Sequence, residues 1–118
     1  MRFVSSRRTF LIAVLLGTVS QRAFAENRVV ELVIHNEEAS PKARVLSVSQ
    51  NDEVVVRITS DQPLRVHLHG YDIESDVVPN VVTSIRFTAT ATGRFPIEVH
   101  YHQSRKQGPL AYIEVRPR

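Results

Sequence analysis

The sequence contains no cysteine and only four glycines in 118 residues. Without thiols no disulfide can staple the chain, so an exported domain of this size must hold together by packing, with or without a metal. The same absence removes a cysteine nucleophile, and so few glycines leave no loop that could cradle a phosphate. No Ser/His/Asp arrangement can be identified from spacing either, and the chain reads as non-enzymatic. Methionine occurs once, at Met1. Acidic residues are missing from the first 25 positions, which hold four arginines. The uncharged stretch from Thr9 to Gln21 is well short of the ~20 apolar residues that span a bilayer, which argues against a membrane anchor.

The first 25 residues read in order as a basic start (Arg2, Arg7, Arg8), an apolar run from Phe10 to Leu16, and Ala23-Phe24-Ala25. This is the layout of a signal peptide with a small-residue cleavage site, and it predicts a mature domain over residues 26–118 in the periplasm or at the cell surface. Ser6-Arg7-Arg8-Thr9-Phe10-Leu11 resembles the twin-arginine motif, whose arginine pair is read by a receptor and is not an anchor. The precursor carries 15 Lys and Arg against 12 Asp and Glu, and removing the four leader arginines leaves 11 against 12. The mature part is therefore near neutral. It lacks the basic footprint of a nucleic-acid binder and carries no membrane span. Its remaining length suffices for one domain with a modest core.

Along that domain the hydrophobic pattern has the period of strands. Val29 to Ile34, Arg44 to Val48, Val54 to Thr59, Leu64 to His69, Ile73 to Val78, Val81 to Ala89, Arg94 to His102 and Leu110 to Val115 are short and β-branched or alternating. Turn signals separate them roughly every 8 to 12 residues, which predicts an all-β Greek-key sandwich of about seven to eight strands. Asp72, Glu74 and Asp76 alternate on one face and read as a charged edge that deters strand pairing.

Histidine carries the chemical information. Four of the five fall in two pairs, His67-Leu68-His69 and His100-Tyr101-His102. Residues two apart on a strand share a face, so each pair can present two imidazoles side by side while Leu68 or Tyr101 turns to the core. Each pair ends a strand, and if those ends met they would supply up to four nitrogen ligands. Such a set suits Cu(II), Zn or Ni, and without thiolate or thioether it is not tuned for Cu(I). Glu98, two residues before His100 and on the same face, is placed to orient a ligand imidazole. His35 stands alone at a strand end. The new terminus Glu26-Asn27-Arg28 lacks the third-position histidine of an amino-terminal copper chelate.

The run from Val48 to Asp61, then His67-Leu68-His69-Gly70-Tyr71-Asp72, Phe87-Thr88-Ala89, Gly93 to His100 and Leu110 to Val115 resembles a cupredoxin over nearly the whole mature chain, and in particular a cysteine-less exported subgroup with this His-Leu-His-Gly-Tyr-Asp signature. The resemblance implies a Greek-key sandwich with copper at one end. By position, His67 resembles the first histidine ligand, His100 stands where the family's cysteine ends its strand, and His102 lies in the loop that supplies the second histidine. Pro109-Leu110 occupies the region of the axial methionine. With no cysteine to form a Cu–thiolate bond, the blue-copper electron-transfer role is not implied. Two functions follow: a periplasmic protein binding a metal ion, foremost Cu(II), through His67, His69, His100 and His102 in copper storage, delivery or tolerance; or a metal-free interaction domain that binds another envelope protein.

Overall fold

The structure, a computed structural model, describes residues 11–18, 24–100 and 108–118. Nine strands occur among them: β1 (Asn27–His35), β2 (Glu38–Ala39), β3 (Val45–Ser49), β4 (Glu53–Ser60), β5 (Leu64–Leu68), β6 (Ile73–Val77), β7 (Thr83–Thr88), β8 (Gly93–His100) and β9 (Pro109–Arg116). A 3-10 turn, Pro41–Ala43, follows β2. The eight expected strands are all present. The ninth, β2, is a two-residue return that the polar composition of its loop conceals; Ala39 pairs with Ile34 and is buried. No helix among the described residues is long and apolar enough to cross a membrane.

The strands form two sheets, of order β2-β1-β4-β7 and β3-β9-β8-β5-β6. Two parallel contacts, β1 with β4 and β3 with β9, join strands distant in sequence, and antiparallel pairings supply the rest. Alternation decides which residues face the space between the sheets. Val54, Val56 and Ile58 of β4 are buried against the inner face of the second sheet, which contributes Val66, Leu68, Ile97 and Ile113. Each buried Val, Leu or Ile contributes about 1.5–3 kcal/mol relative to exposure, so packing alone can hold a cysteine-free sandwich of this size.

β6 is the outer strand beside β5, and its exposed carboxylates bear out the charged-edge reading. Arg65 on β5 reaches across to this edge, with Nε 2.9 Å from Asp76 Oδ1 and Nη1 3.9 Å from Glu74 Oε2. A row of charged, cross-paired side chains makes an unfavourable template for a further strand.

At one end, the turn from β5 to β6 is built by Gly70, Tyr71 and Asp72. Gly70 has φ +87° and Asp72 φ +52°. Any Cβ at Gly70 would stand 2.3 Å from the Phe95 ring, so only glycine fits. The Tyr71 ring packs on Phe87 and Phe95 at centroid distances of 4.6 and 4.9 Å. Its hydroxyl donates to the Ala91 carbonyl at 2.9 Å and accepts from the Ala91 N–H at 3.2 Å. The hairpin carrying the first histidine pair is thereby fixed to the segment between β7 and β8.

Candidate metal centre

His67 lies on β5, and His69 lies one residue past its end. The His69 N–H donates to the Pro96 carbonyl at 3.0 Å and extends the strand alternation. Both rings consequently stand on the outer face of the five-stranded sheet, while Val66 and Leu68 are buried. Their centroids are 4.0 Å apart with the planes tilted by 42°. The side-by-side placement read from His-x-His is present.

Carboxylates surround the pair. Glu98, opposite His67 on β8, extends to the neighbouring ring, placing Oε2 3.0 Å from His69 Nε2. That nitrogen is shielded from solvent and has no hydrogen-bond partner, since the close approach to Glu98 does not have hydrogen-bond geometry. His67 Nε2 is 3.5 Å from Asp72 Oδ1, and His67 Nδ1 is 3.8 Å from Glu74 Oε1. The sequence pairs Glu98 with the imidazole of its own strand, His100. The imidazole it meets belongs to the strand next door.

The second pair is placed differently. β5 and β8 are antiparallel, so their C-terminal ends point in opposite directions. His100 stands opposite Arg65 and diagonal to His67, a Cα separation of about 7–8 Å. From His69, which faces Pro96, it lies four residues along the sheet, roughly 13 Å. His100 is exposed, beside Pro63, Arg65, Glu74 and Asp76 at the mouth of a groove that runs to Val78 and Pro79. Tyr101 and His102 lie outside the described residues. The structure thus joins His67, His69 and Glu98, with His100 diagonal to His67 and opposite Arg65, whose guanidinium turns to Asp76.

The donor types fit Cu(II): neutral imidazoles and carboxylate, with one shielded imidazole nitrogen left without a partner. They do not fit a blue-copper centre, which requires a thiolate. Among the described residues no three His, Asp or Glu side chains are disposed to share one ion as they stand. The donors brought together are therefore two imidazoles with a carboxylate in contact with one of them.

Three residues to which sequence reasoning gave no role here shape this region. Arg65 stands opposite His100, and its hydrogen bond and ion pair with Asp76 hold its own proton more tightly than usual. Tyr71 anchors the hairpin, and burial raises its hydroxyl pKa above the ordinary value against the opposing effect of the Ala91 hydrogen bond. Gly70 lets Phe95 approach. Their signal was the Gly70-Tyr71-Asp72 turn itself, which reads as punctuation until the ring contacts are known. His35 is highly exposed and pairs with Asp61 at 2.8 Å, away from this group.

The pattern of the cupredoxin-like domain family matches residues 8–111. No curated protein matches the sequence. Among solved structures, the fold is similar to a chain of a heme-copper terminal oxidase dimer (TM-score 0.63, 17% identity, covering 76% of this chain and 65% of that one). It is also similar to a copper binding protein in its apo form (TM-score 0.61, 7% identity, 81% and 93%). A third is the periplasmic domain of subunit II of cytochrome oxidase from Bradyrhizobium japonicum (TM-score 0.56, 14% identity, 75% and 82%). The chain spans less than two thirds of the terminal-oxidase chain. At these identities the likeness is one of fold.

Proposed function

Because this chain belongs to the cupredoxin-like domain family, we propose that it is an exported, non-enzymatic copper-binding domain that holds Cu(II) through histidines and serves copper storage, delivery or tolerance. The observation that carries this reading is the His67–His69 pair, two imidazoles 4.0 Å apart with Glu98 against the second. His67 and His69 are the principal donors, and Glu98 either completes the set or fixes the His69 ring. His100 and His102 are the remaining donors of the proposal. When bound, Cu(II) would supply a Lewis-acidic centre with positions for further nitrogen or oxygen donors, without thiolate-based electron transfer. The chain's own contribution is rigid presentation: Tyr71 and Gly70 hold the hairpin, and the ladder to Pro96 holds His69.

The reading includes export. The leader with Arg7 and Arg8 addresses the chain to the periplasm, and cleavage after Ala25 releases residues 26–118. The periplasmic location of one structural neighbour supports this indirectly.

The test is a Cu(II) titration of residues 26–118 followed by electron paramagnetic resonance. The expected result is a nitrogen-coordinated signal of sub-micromolar affinity that His67→Ala and His69→Ala each lose. Equal, weak binding by the parent and both variants refutes copper binding at this pair. One observation favours a second reading, that of a metal-free interaction domain for another envelope protein: Arg65, not a further donor, faces His100. In that case the parent binds Cu(II) no better than the histidine variants do, while pull-down of the envelope partner requires the face around Arg65.

A further inference from the structure

Asp52 is the one buried carboxylate among the described residues, at 1% exposure. It sits in the turn between β3 and β4, where Asn51 takes φ +67°. Its Oδ2 accepts the Ser49 N–H at 2.9 Å, the local bond expected of an aspartate in such a turn. Its Oδ1 accepts from two groups distant in sequence: the Arg118 guanidinium and the Glu26 N–H, the latter at 3.2 Å. Burial alone would raise its pKa. The Ser49 and Glu26 hydrogen bonds and the Arg118 and Arg28 charges outweigh burial and hold it below the usual carboxylate value.

The partner at Glu26 is the nitrogen that cleavage after Ala25 would expose. Glu26 is also where the backbone joins the sheet. Its carbonyl accepts the Glu53 N–H at 3.0 Å, and the β1–β4 pairing begins at the next residue, Asn27 with Glu53. Phe24 and Ala25, just before it, are exposed and belong to no strand.

We propose that Asp52 is the receptor for the mature amino terminus. The inference rests on the cleavage reading given above. Hydrolysis adds water across the Ala25–Glu26 bond, leaving a carboxylate on Ala25 and an amine on Glu26 that takes up a proton. The amide that donates to Asp52 in the precursor becomes an α-ammonium already held 3.2 Å from a buried carboxylate oxygen. A neutral donor is replaced by a charged one, and charge-assisted hydrogen bonds are roughly twice as strong. Arg118 loses the Phe24 carbonyl it also contacts but keeps Asp52 and the Gln50 carbonyl. Processing therefore tightens the fold, and only a terminus at Glu26 fits: one residue more moves the charge by about 3.5 Å, out of contact.

The pairing is pH-dependent in a definite sense. The groups facing the new ammonium are Asp52, Arg118 and Arg28, together with its own Glu26 side chain. Attraction by the adjacent carboxylate exceeds repulsion from the more distant cations, so the amine pKa rises above its ordinary ~7.7–8.0. The stabilisation is then fully present below that ordinary value and is lost as pH rises through the folded value.

The experiment uses residues 26–118, which contain all nine strands of the described residues, with a free or an acetylated terminus, and residues 25–118 for comparison. We expect the 15N-labelled Glu26 amine to titrate above its ordinary value. At pH 6 the folding equilibrium constant of the free form should exceed that of the acetylated form and of 25–118 by about tenfold, converging above pH ~9. Asp52→Asn should abolish the difference. Should that variant fail to fold, the comparison of free and acetylated parent proteins decides alone. An amine titrating at its ordinary value, or equal stability of free and acetylated forms, overturns the proposal. Sequencing the terminus of the protein recovered from the periplasm separates the two readings: Glu26 upholds the cleavage site, and any other residue removes the premise and the proposal with it.

Discussion

Replacing Gly70 with alanine tests whether the histidine pair depends on the packing behind it. The new Cβ meets two separate costs. At φ +87° an L-residue occupies the left-handed region, at about 1–2 kcal/mol. It also stands 2.3 Å from Phe95 Cδ1 and 2.7 Å from Cε1, so the ring must move. Phe95 cannot swing away freely, because Tyr71 lies edge-on against it at 4.9 Å. Forcing such a shift in a packed region costs about 1–3 kcal/mol. The combined loss, roughly 2–5 kcal/mol, is a large part of the stability of a small domain. In thermal unfolding it lowers Tm by on the order of 10 °C or more. Gly108→Ala is the control: its φ is +104°, yet among the described residues a Cβ there meets nothing within 4 Å, so it carries the backbone cost. The excess of the Gly70 loss over the Gly108 loss is the Phe95 contact. Displacing Phe95 also moves the adjacent Pro96, whose carbonyl holds His69, so Cu(II) affinity should fall in Gly70→Ala and not in Gly108→Ala. If the two variants unfold at the same denaturant midpoint, the ring is free to move and the account of a rigid hairpin is wrong.

Further outcomes follow from the same structure. Tyr71→Phe removes the hydroxyl that bridges to Ala91 and should cost about 1 kcal/mol in urea unfolding while leaving the fold intact. In the parent, ultraviolet titration should place Tyr71 ionisation above the ordinary tyrosine value, with its share of stability lost as pH rises through the folded value. Asp52 has its pKa depressed on folding, so its contribution is present above the unfolded value of ~3.9 and is lost as pH falls through the folded one. An acid-unfolding series should show that decline, and Asp52→Asn should be less stable at pH 7 yet lack the corresponding part of the acid dependence. Changing Arg7 and Arg8 to lysine should block periplasmic accumulation, measured by cell fractionation; continued accumulation would indicate a different export route.

Much of the architecture could be read from periodicity. The alternation in Val54-Val55-Val56-Arg57-Ile58 names the buried side of β4 without reference to any other strand, because side chains on a strand alternate by geometry. The same rule places His67 and His69 together, and it makes Asp72, Glu74 and Asp76 an exposed edge. What the pattern leaves open is which strand lies beside which, and in what direction. Glu98 meets His69 and not His100 because the β5–β8 register brings Pro96 opposite the end of the hairpin.

By itself, the sequence determined the class of fold, the shared outward face of His67 and His69, and the absence of any cysteine ligand. Those are local or compositional properties, settled by strand period and by counting. Only the tertiary structure decided that His100 stands opposite Arg65 and diagonal to His67, since that follows from the antiparallel register of β5 and β8. It alone brought Asp52 to Glu26, the residue before the first strand, and to Arg118, contacts 26 and 66 residues apart. Pairings at that separation are set by how the sheets close on their core, which no short window of residues contains.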